Sequence, residues 1–264
     1  MTDAVQRFSN RAENYALYRP SYPAGVISVL EADCGLTKDS IIADIGSGTG
    51  ILTELFLKNG NGVYAVEPNA AMREFAERAF GATKNFVSID ATAESSTLAE
   101  RSVEFVIAAQ AFHWFDLPKA KREFARILKP EGWVVLIWNE RRLASTPFLQ
   151  QYEALLLRYG TDYQQVRHEN ITNEISTFFL PERFQLKTLE NAQHFDFESL
   201  KGRLLSSSYT PDPTHPNFEA MLRELESVFA KNNKEGIVTI EYETRIYYGH
   251  PAHKLRLIDP PVTG

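Results

Sequence analysis

Ile41-Ile42-Ala43-Asp44-Ile45-Gly46-Ser47-Gly48-Thr49-Gly50 joins a short apolar run to a loop with glycine at every second position. A continuous apolar run bounded by turn residues is the pattern of a strand buried on both faces. Gly46, Gly48 and Gly50 let the chain turn tightly and bring backbone close to a ligand. Residues 51–58 then read as a helix, closed by Asn59-Gly60. Strand, glycine loop and helix are therefore expected in succession.

A glycine-rich turn alone is ambiguous. The dinucleotide fingerprint needs a third glycine at the position of Ile51, and a phosphate-cradling Walker loop needs a following Gly-Lys-Ser/Thr that is absent. The discriminating residue is Glu67, 17 residues past Gly50 at the predicted end of a second strand over 62–66. A carboxylate there can accept hydrogen bonds from both hydroxyls of a ribose, and it repels a 2′-phosphate. A nicotinamide oxidoreductase is disfavoured by the glycine spacing.

Outward from this stretch the chain alternates helical and strand patterns. Helices are expected over 24–35, 70–79 (with Asn69 as cap) and 117–128. Further strands are expected over 85–89, 103–109 and 133–138. Alternation at this spacing argues for an α/β fold with a Rossmann-like, doubly wound, mostly parallel sheet. Beyond residue 140 the reading gives helices over 148–159, 171–180 and 218–231, with strands over 184–197 and 238–248. Two late strands would add an antiparallel edge, making seven, and the helices between them would lie over the strand C-terminal ends. One domain over 1–264 is expected: an N-terminal lid and first helix (1–35), a cofactor-binding core (36–140), and acceptor-side helices and late strands (141–264).

The chain has 264 residues, 44% of them hydrophobic, and a formal net charge of −6, so an ordinary globular core is affordable in length and composition. Lys and Arg are scattered, which disfavours a polyanionic partner such as nucleic acid. The single cysteine, Cys34, cannot form an internal disulfide and has no metal-ligand neighbours, so no metal is expected. The N-terminus lacks a signal-type apolar segment, and the longest apolar runs are too short to span a bilayer. A cytoplasmic protein without membrane association is the expectation. No sequence feature settles the oligomeric state.

With strand, glycine loop, helix, strand and acid in this order, residues 8–140 resemble the class I S-adenosylmethionine-dependent methyltransferases. The resemblance implies S-adenosylmethionine as cofactor, with residues 44–50 around its methionine end and Glu67, beside Pro68, on the ribose. Asp44, Gly46, Ser47, Gly48 and Gly50 would form that cradle. The cofactor carries no phosphate, so Asp44 is not repelled and can orient its ammonium group. The family's adenine site maps by ungapped counting onto Thr92-Ala93-Glu94, where Thr92 replaces the usual acid; Asp90 is the alternative source of a carboxylate.

The fourth strand runs into Ala109-Gln110-Ala111-Phe112-His113-Trp114-Phe115-Asp116. By resemblance Gln110 contacts the cofactor, while His113 and Trp114 line the acceptor pocket. An imidazole with an ordinary pKa of about 6.5 suits His113 as a general base, and a hydrogen-bonded wall residue is the competing role. Methyl transfer from a sulfonium is an in-line displacement, so positioning alone can carry much of the rate. The Asn/Asp-Pro-Pro-aromatic motif of base-amine methyltransferases is missing at this position. Asp259-Pro260-Pro261 is a chance match.

The aromatic-rich segment Phe8-Ser9-Asn10-Arg11-Ala12-Glu13-Asn14-Tyr15-Ala16-Leu17-Tyr18-Arg19, together with His113-Trp114-Phe115, resembles the small-molecule (methyltransferase type 11, trans-aconitate methyltransferase-like) branch. That resemblance implies Tyr15 and Arg19 closing over the cofactor. It also implies a small-molecule acceptor, with a carboxylate oxygen the favoured target. Asn139, Arg141, Arg142, Ser206, Ser207 and Tyr209 are candidates for the acceptor rim. A cofactor-binding protein without turnover, acting through a partner, is the alternative function.

Overall fold

The computed structural model describes residues 16–163 and 171–251, and the backbone alone at 171 and 172. Tyr15, most of the expected lid segment and Asp259-Pro260-Pro261 lie outside the described residues.

The chain forms β1 (Ile41–Ile45), β2 (Gly62–Val66), β3 (Phe86–Ile89), β4 (Val103–Ala109), β5 (Leu128–Arg141), β6 (Gln185–Phe195) and β7 (Val238–Gly249). They make one seven-stranded sheet in the order β3-β2-β1-β4-β5-β7-β6. The first five pair in parallel, and β7 pairs antiparallel with both β5 and β6. The helices are α1 (Gly25–Cys34), α2 (Ile51–Asn59), α3 (Ala70–Phe80), α4 (Leu117–Ile127), α5 (Pro147–Tyr159), α6 (Ile171–Phe179), α7 (Phe197–Leu205) and α8 (Phe218–Asn232). The expected doubly wound sheet with an antiparallel C-terminal edge is what the chain adopts.

The strands carry the period-two division that a sheet covered on both faces demands. Ile42, Phe105, Ile107 and Ile137 face one core with Phe56 of α2 and Leu30 of α1. Ala43, Ile45, Val106 and Leu136 face the other with Phe124 of α4. Burying each such large apolar side chain stabilises the fold by roughly 1.5–3 kcal/mol, enough in aggregate to set the register. Asn69 caps α3 as its sequence position predicts, its side chain accepting the Met72 amide.

Two local readings are corrected. The fifth strand is longer than 133–138, because Leu128 already pairs with Val103 and a bulge follows before Trp133 pairs with Phe105. α4 already ends at Ile127, ahead of Pro130 and Gly132, and the chain is extended through both as part of β5. The strand read over 184–197 stops at Phe195, and Asp196 caps the unanticipated α7 by accepting the Ser199 amide. Alternating polarity ran on into Phe197 and hid that start.

Past Ile137, where its pairing to β4 ends, β5 continues to Arg141 against Tyr242 of β7. This extension lifts part of β6 and β7 above the rim of the parallel sheet. There α5, α7 and α8 pack on Tyr242 and Ile240 in a third apolar cluster with Leu149, Tyr152, Leu200 and Leu225. The cap therefore stands over the strand C-terminal ends, beside the point where the strand order reverses between β1 and β4. Open α/β sheets hold ligands in that crevice.

Candidate functional site

Three strand ends build the site. Gly46 follows β1, Glu67 follows β2 and Gln110 follows β4. Gly46, Gly48 and Gly50 all have positive φ, at 70°, 58° and 86°. At Gly46 the approach is also close: a Cβ there would lie 2.6 Å from the Ala111 Cβ, across the crevice on the β4 side. The Gly46 and Ser47 amides donate to the Val66 carbonyl, at 2.8 and 3.2 Å, so the loop is tied to the end of β2.

Glu67 completes the tie. Its Oε2 accepts the Gly48 amide at 2.9 Å and its Oε1 the Asn69 amide at 2.8 Å. Burial pushes this carboxyl above its usual value, while the amides of Asn69 and Gly48 and the charge of Arg73 pull it back. Each oxygen keeps further acceptor capacity, which a pair of hydroxyls can use.

Asp44, 1% exposed, lies beneath the loop at the end of β1. Its Oδ2 accepts the Thr53 hydroxyl of α2 at 2.6 Å, and its Oδ1 is buried with no hydrogen-bond partner. Burial first, and the neighbouring Glu67 charge, push Asp44 up to about 7, against the opposing Thr53 hydrogen bond. The hydroxyl of Thr49 is likewise buried and unpartnered. Two acidic groups and an orphaned carboxylate oxygen fit a ligand that is cationic and free of phosphate, and they oppose a pyrophosphate.

On the far side of Glu67 the alternatives for the third-strand acid separate. Asp90 is exposed and engaged in a fork with Arg73: Nη1 and Nη2 donate to its two oxygens, each at 2.9 Å, while Nη1 also donates to the Glu67 carbonyl. Thr92 and the buried Ala93 lie in a tight turn, closed by the Ser95 amide on the Thr92 carbonyl at 3.2 Å. Glu94 accepts the Asp116 amide at 2.8 Å, which fastens this turn to the segment after β4. Pro68 is exposed beside Glu67.

That segment turns sharply, with Gln110 at φ 54° and a single 3-10 turn, Phe112–Trp114. Phe112 is buried against Phe115, Trp138 and Phe178, which anchors the turn. His113 is half-buried with its ring 4.6 Å from that of Trp114, which is 37% exposed. The aromatic pair stands where the chain leaves the core. Gln110 donates from Nε2 to the Asn139 carbonyl at 3.1 Å.

Asn139, expected at the rim, is buried and its amide is engaged. Nδ2 donates to the Ser21 carbonyl at 3.2 Å, and Oδ1 accepts from Thr244 and from Asn191. It knots β5, β6 and β7 to the segment ahead of α1. Arg142 is a surface partner of Glu190, whereas Arg141 is buried with Glu153 and Tyr163. Ser206 and Ser207 are fully buried in the cap, and Arg19 donates to the Ser206 carbonyl at 3.1 Å. The structure thus brings together Asp44, the glycine loop, Glu67 and the Gln110–His113 turn, and it moves Arg141, Ser206 and Ser207 inward. Sequence reading missed Thr53, Arg73, Tyr242 and the fully buried Arg203. Thr53 and Asp44 are 9 residues apart, Arg73 and Asp90 17, and Arg203 and Tyr242 39, and each pair joins different elements, so no single periodic pattern marks them.

Residues 43–136 match the methyltransferase-domain family. A methyltransferase-like protein of Schizosaccharomyces pombe, uncharacterized, is 30% identical over 162 residues, covering 60% of each chain. An uncharacterized methyltransferase of Mycobacterium bovis is 37% identical over 139 residues, 53% of this chain and 54% of that one. This chain thus spans about half to three-fifths of the length of those relatives. Among solved structures, a candidate type II methyltransferase from Anaeromyxobacter dehalogenans superposes with TM-score 0.67 at 21% identity, covering 88% of this chain and 97% of that one. A methyltransferase from Thiobacillus denitrificans, solved with S-adenosylhomocysteine, gives TM-score 0.51 at 16% identity, covering 90% and 96%. Over residues 43–136 the chain is thus similar to the methyltransferase-domain family, and its fold is that of the solved methyltransferases.

Proposed function

We propose that this protein transfers the methyl group of S-adenosylmethionine to a small-molecule acceptor by direct in-line displacement. The observation that carries the reading is Glu67, which closes the glycine loop onto the end of β2 with spare acceptor capacity for a ribose. Asp44, with its orphaned oxygen, faces the need for a cation that the cofactor's ammonium group would meet. Gly46, Ser47 and Gly48 would border the methionine end, and Thr92 and Ala93 the adenine. Bound there, the cofactor supplies an activated sulfonium methyl. The protein's task is then to align the acceptor and exclude water. With a hydroxyl or amine acceptor, His113 at the mouth would take its proton; a carboxylate acceptor is already ionised and would leave His113, with Trp114, as the pocket wall.

The acceptor's carboxylate oxygen is our favoured target, on likeness to the small-molecule branch. Calorimetry with S-adenosylmethionine, S-adenosylhomocysteine and NAD tests the cofactor reading. Saturable binding of the first two is expected. NAD binding with no response to either would sink it.

A further inference from the structure

Arg203, 6% exposed on α7, is the most deeply buried cation of the cap. Its Nε donates to the Tyr242 hydroxyl at 3.3 Å and its Nη1 to the Ser207 hydroxyl at 3.1 Å. Both partners are neutral, and no described carboxylate forms an ion pair with it. An arginine stays charged under all ordinary conditions, so a permanent positive charge sits in the cap with no ion-pair partner among the described residues. Buried charges are ordinarily paired, because desolvation is expensive.

A second guanidinium adjoins it. Arg141, at the end of β5, pairs with Glu153 and stacks on the Tyr152 ring, 5.2 Å from its centroid. Its Nη1 is buried with no hydrogen-bond partner. Tyr242, whose hydroxyl accepts from Arg203, is the strand partner of Arg141, so the two guanidiniums lie in one tyrosine-rich part of the cap. Arg141 lies two residues past Asn139, whose carbonyl holds Gln110 at the mouth of the crevice. With Arg19 also donating to the Ser206 carbonyl, Glu153 is the carboxylate that pairs with this cluster among the described residues, so positive charge is in excess.

We propose that Arg203 and the free Nη1 edge of Arg141 form an anion-binding site in the cap, which grips a carboxylate of the acceptor remote from the atom methylated. This rests on the methyl-transfer reading of the adjoining crevice. A carboxylate clamped by guanidiniums is a poor nucleophile, since its lone pairs are engaged in charge-assisted hydrogen bonds. The gripped group is therefore the handle, and the methyl goes to another atom of the same molecule, such as a second carboxylate. A planar carboxylate suits the fork of a guanidinium, and its single charge is less costly to bury than a phosphate of about −1.5 to −2 near neutral pH.

The test is calorimetry on the full chain saturated with S-adenosylhomocysteine, using succinate, its neutral diamide and inorganic phosphate as probes. Succinate should bind saturably, the diamide should not, and phosphate should bind at least tenfold more weakly. Arg203→Met and Arg141→Met should each weaken succinate at least tenfold while S-adenosylhomocysteine affinity stays within twofold. The melting temperature of Arg203→Met should hold or rise, since an unpaired buried charge has been removed. If that variant does not fold, Arg203→Lys decides: it keeps the charge but not the fork, and should still lose several-fold in succinate affinity. Absent succinate binding, preference for phosphate, or undiminished affinity in the variants overturns the site. Absent S-adenosylhomocysteine binding overturns the cofactor reading instead, so the two fail separately.

Discussion

The carboxylate of Glu67 holds the amide of Gly48 at 2.9 Å, joining the end of β2 to the loop that follows β1. One side chain thus both shapes the glycine loop and presents acceptor capacity beside it.

Glu67→Ala removes the acceptor for two backbone amides and the ribose partner together. Leaving buried polar groups unsatisfied costs about 1–3 kcal/mol. Weaker S-adenosylmethionine binding by about that amount is expected, with a lowered melting temperature. Unchanged affinity in a folded variant would refute the ribose role.

Asp44 gives a pH signature. Its folded value of about 7 exceeds the ordinary carboxylate value of about 3.9, so between these values the folded chain binds the extra proton. Its contribution to stability is therefore full below about pH 4 and is lost as pH rises through about 7. A cationic ligand group favours the ionised form, so cofactor binding should strengthen from about pH 6 to 8 and release a proton on the acid side. Titrations in buffers of different ionisation enthalpy measure that release. Thr53→Val, which removes the hydroxyl on Oδ2, should move the transition to higher pH; an unmoved transition counts against Asp44 as its source.

His113→Ala separates binding from turnover. Cofactor affinity should survive, because the ring sits at the mouth and not in the glycine cradle, while the rate with a hydroxyl or amine acceptor falls about 100-fold or more, the scale of general-base catalysis. A pH–rate profile that the substitution leaves unaltered would retire the proton-accepting role and leave His113 as wall.

Gly202 admits the Tyr18 ring onto α7, and a Cβ there would lie 2.2 Å from the Tyr18 Cε2. Gly202→Ala should dislodge the segment around Tyr18 and Arg19 while sparing the sheet. Faster proteolytic cleavage ahead of α1, with little change in far-ultraviolet circular dichroism, is the expected outcome. Protection equal to that of the parent chain would show that the segment docks by other contacts.

The parallel sheet, its strand positions and the glycine cradle were legible from residue order because each is written in local periodicity. Buried strands are apolar runs, helices repeat every three to four residues, and a tight loop needs glycine where φ is positive. Glu67 was readable for the same reason, since it stands at a strand end a fixed distance from the loop. Tertiary structure alone decided the rest. Asn139 looked like a rim residue, and folding buried it on Ser21 and Thr244, 118 and 105 residues away. Arg141 read as a rim residue, and the cap closed over it; Arg203 gave no signal, and its hydroxyl partner Tyr242 is 39 residues distant. Local sequence encodes backbone conformation and which face turns inward, whereas a polar side chain's burial depends on what distant chain is brought against it. Local periodicity therefore marked the glycine loop, and only the folding of the cap buried Arg141 and Arg203 around Tyr242.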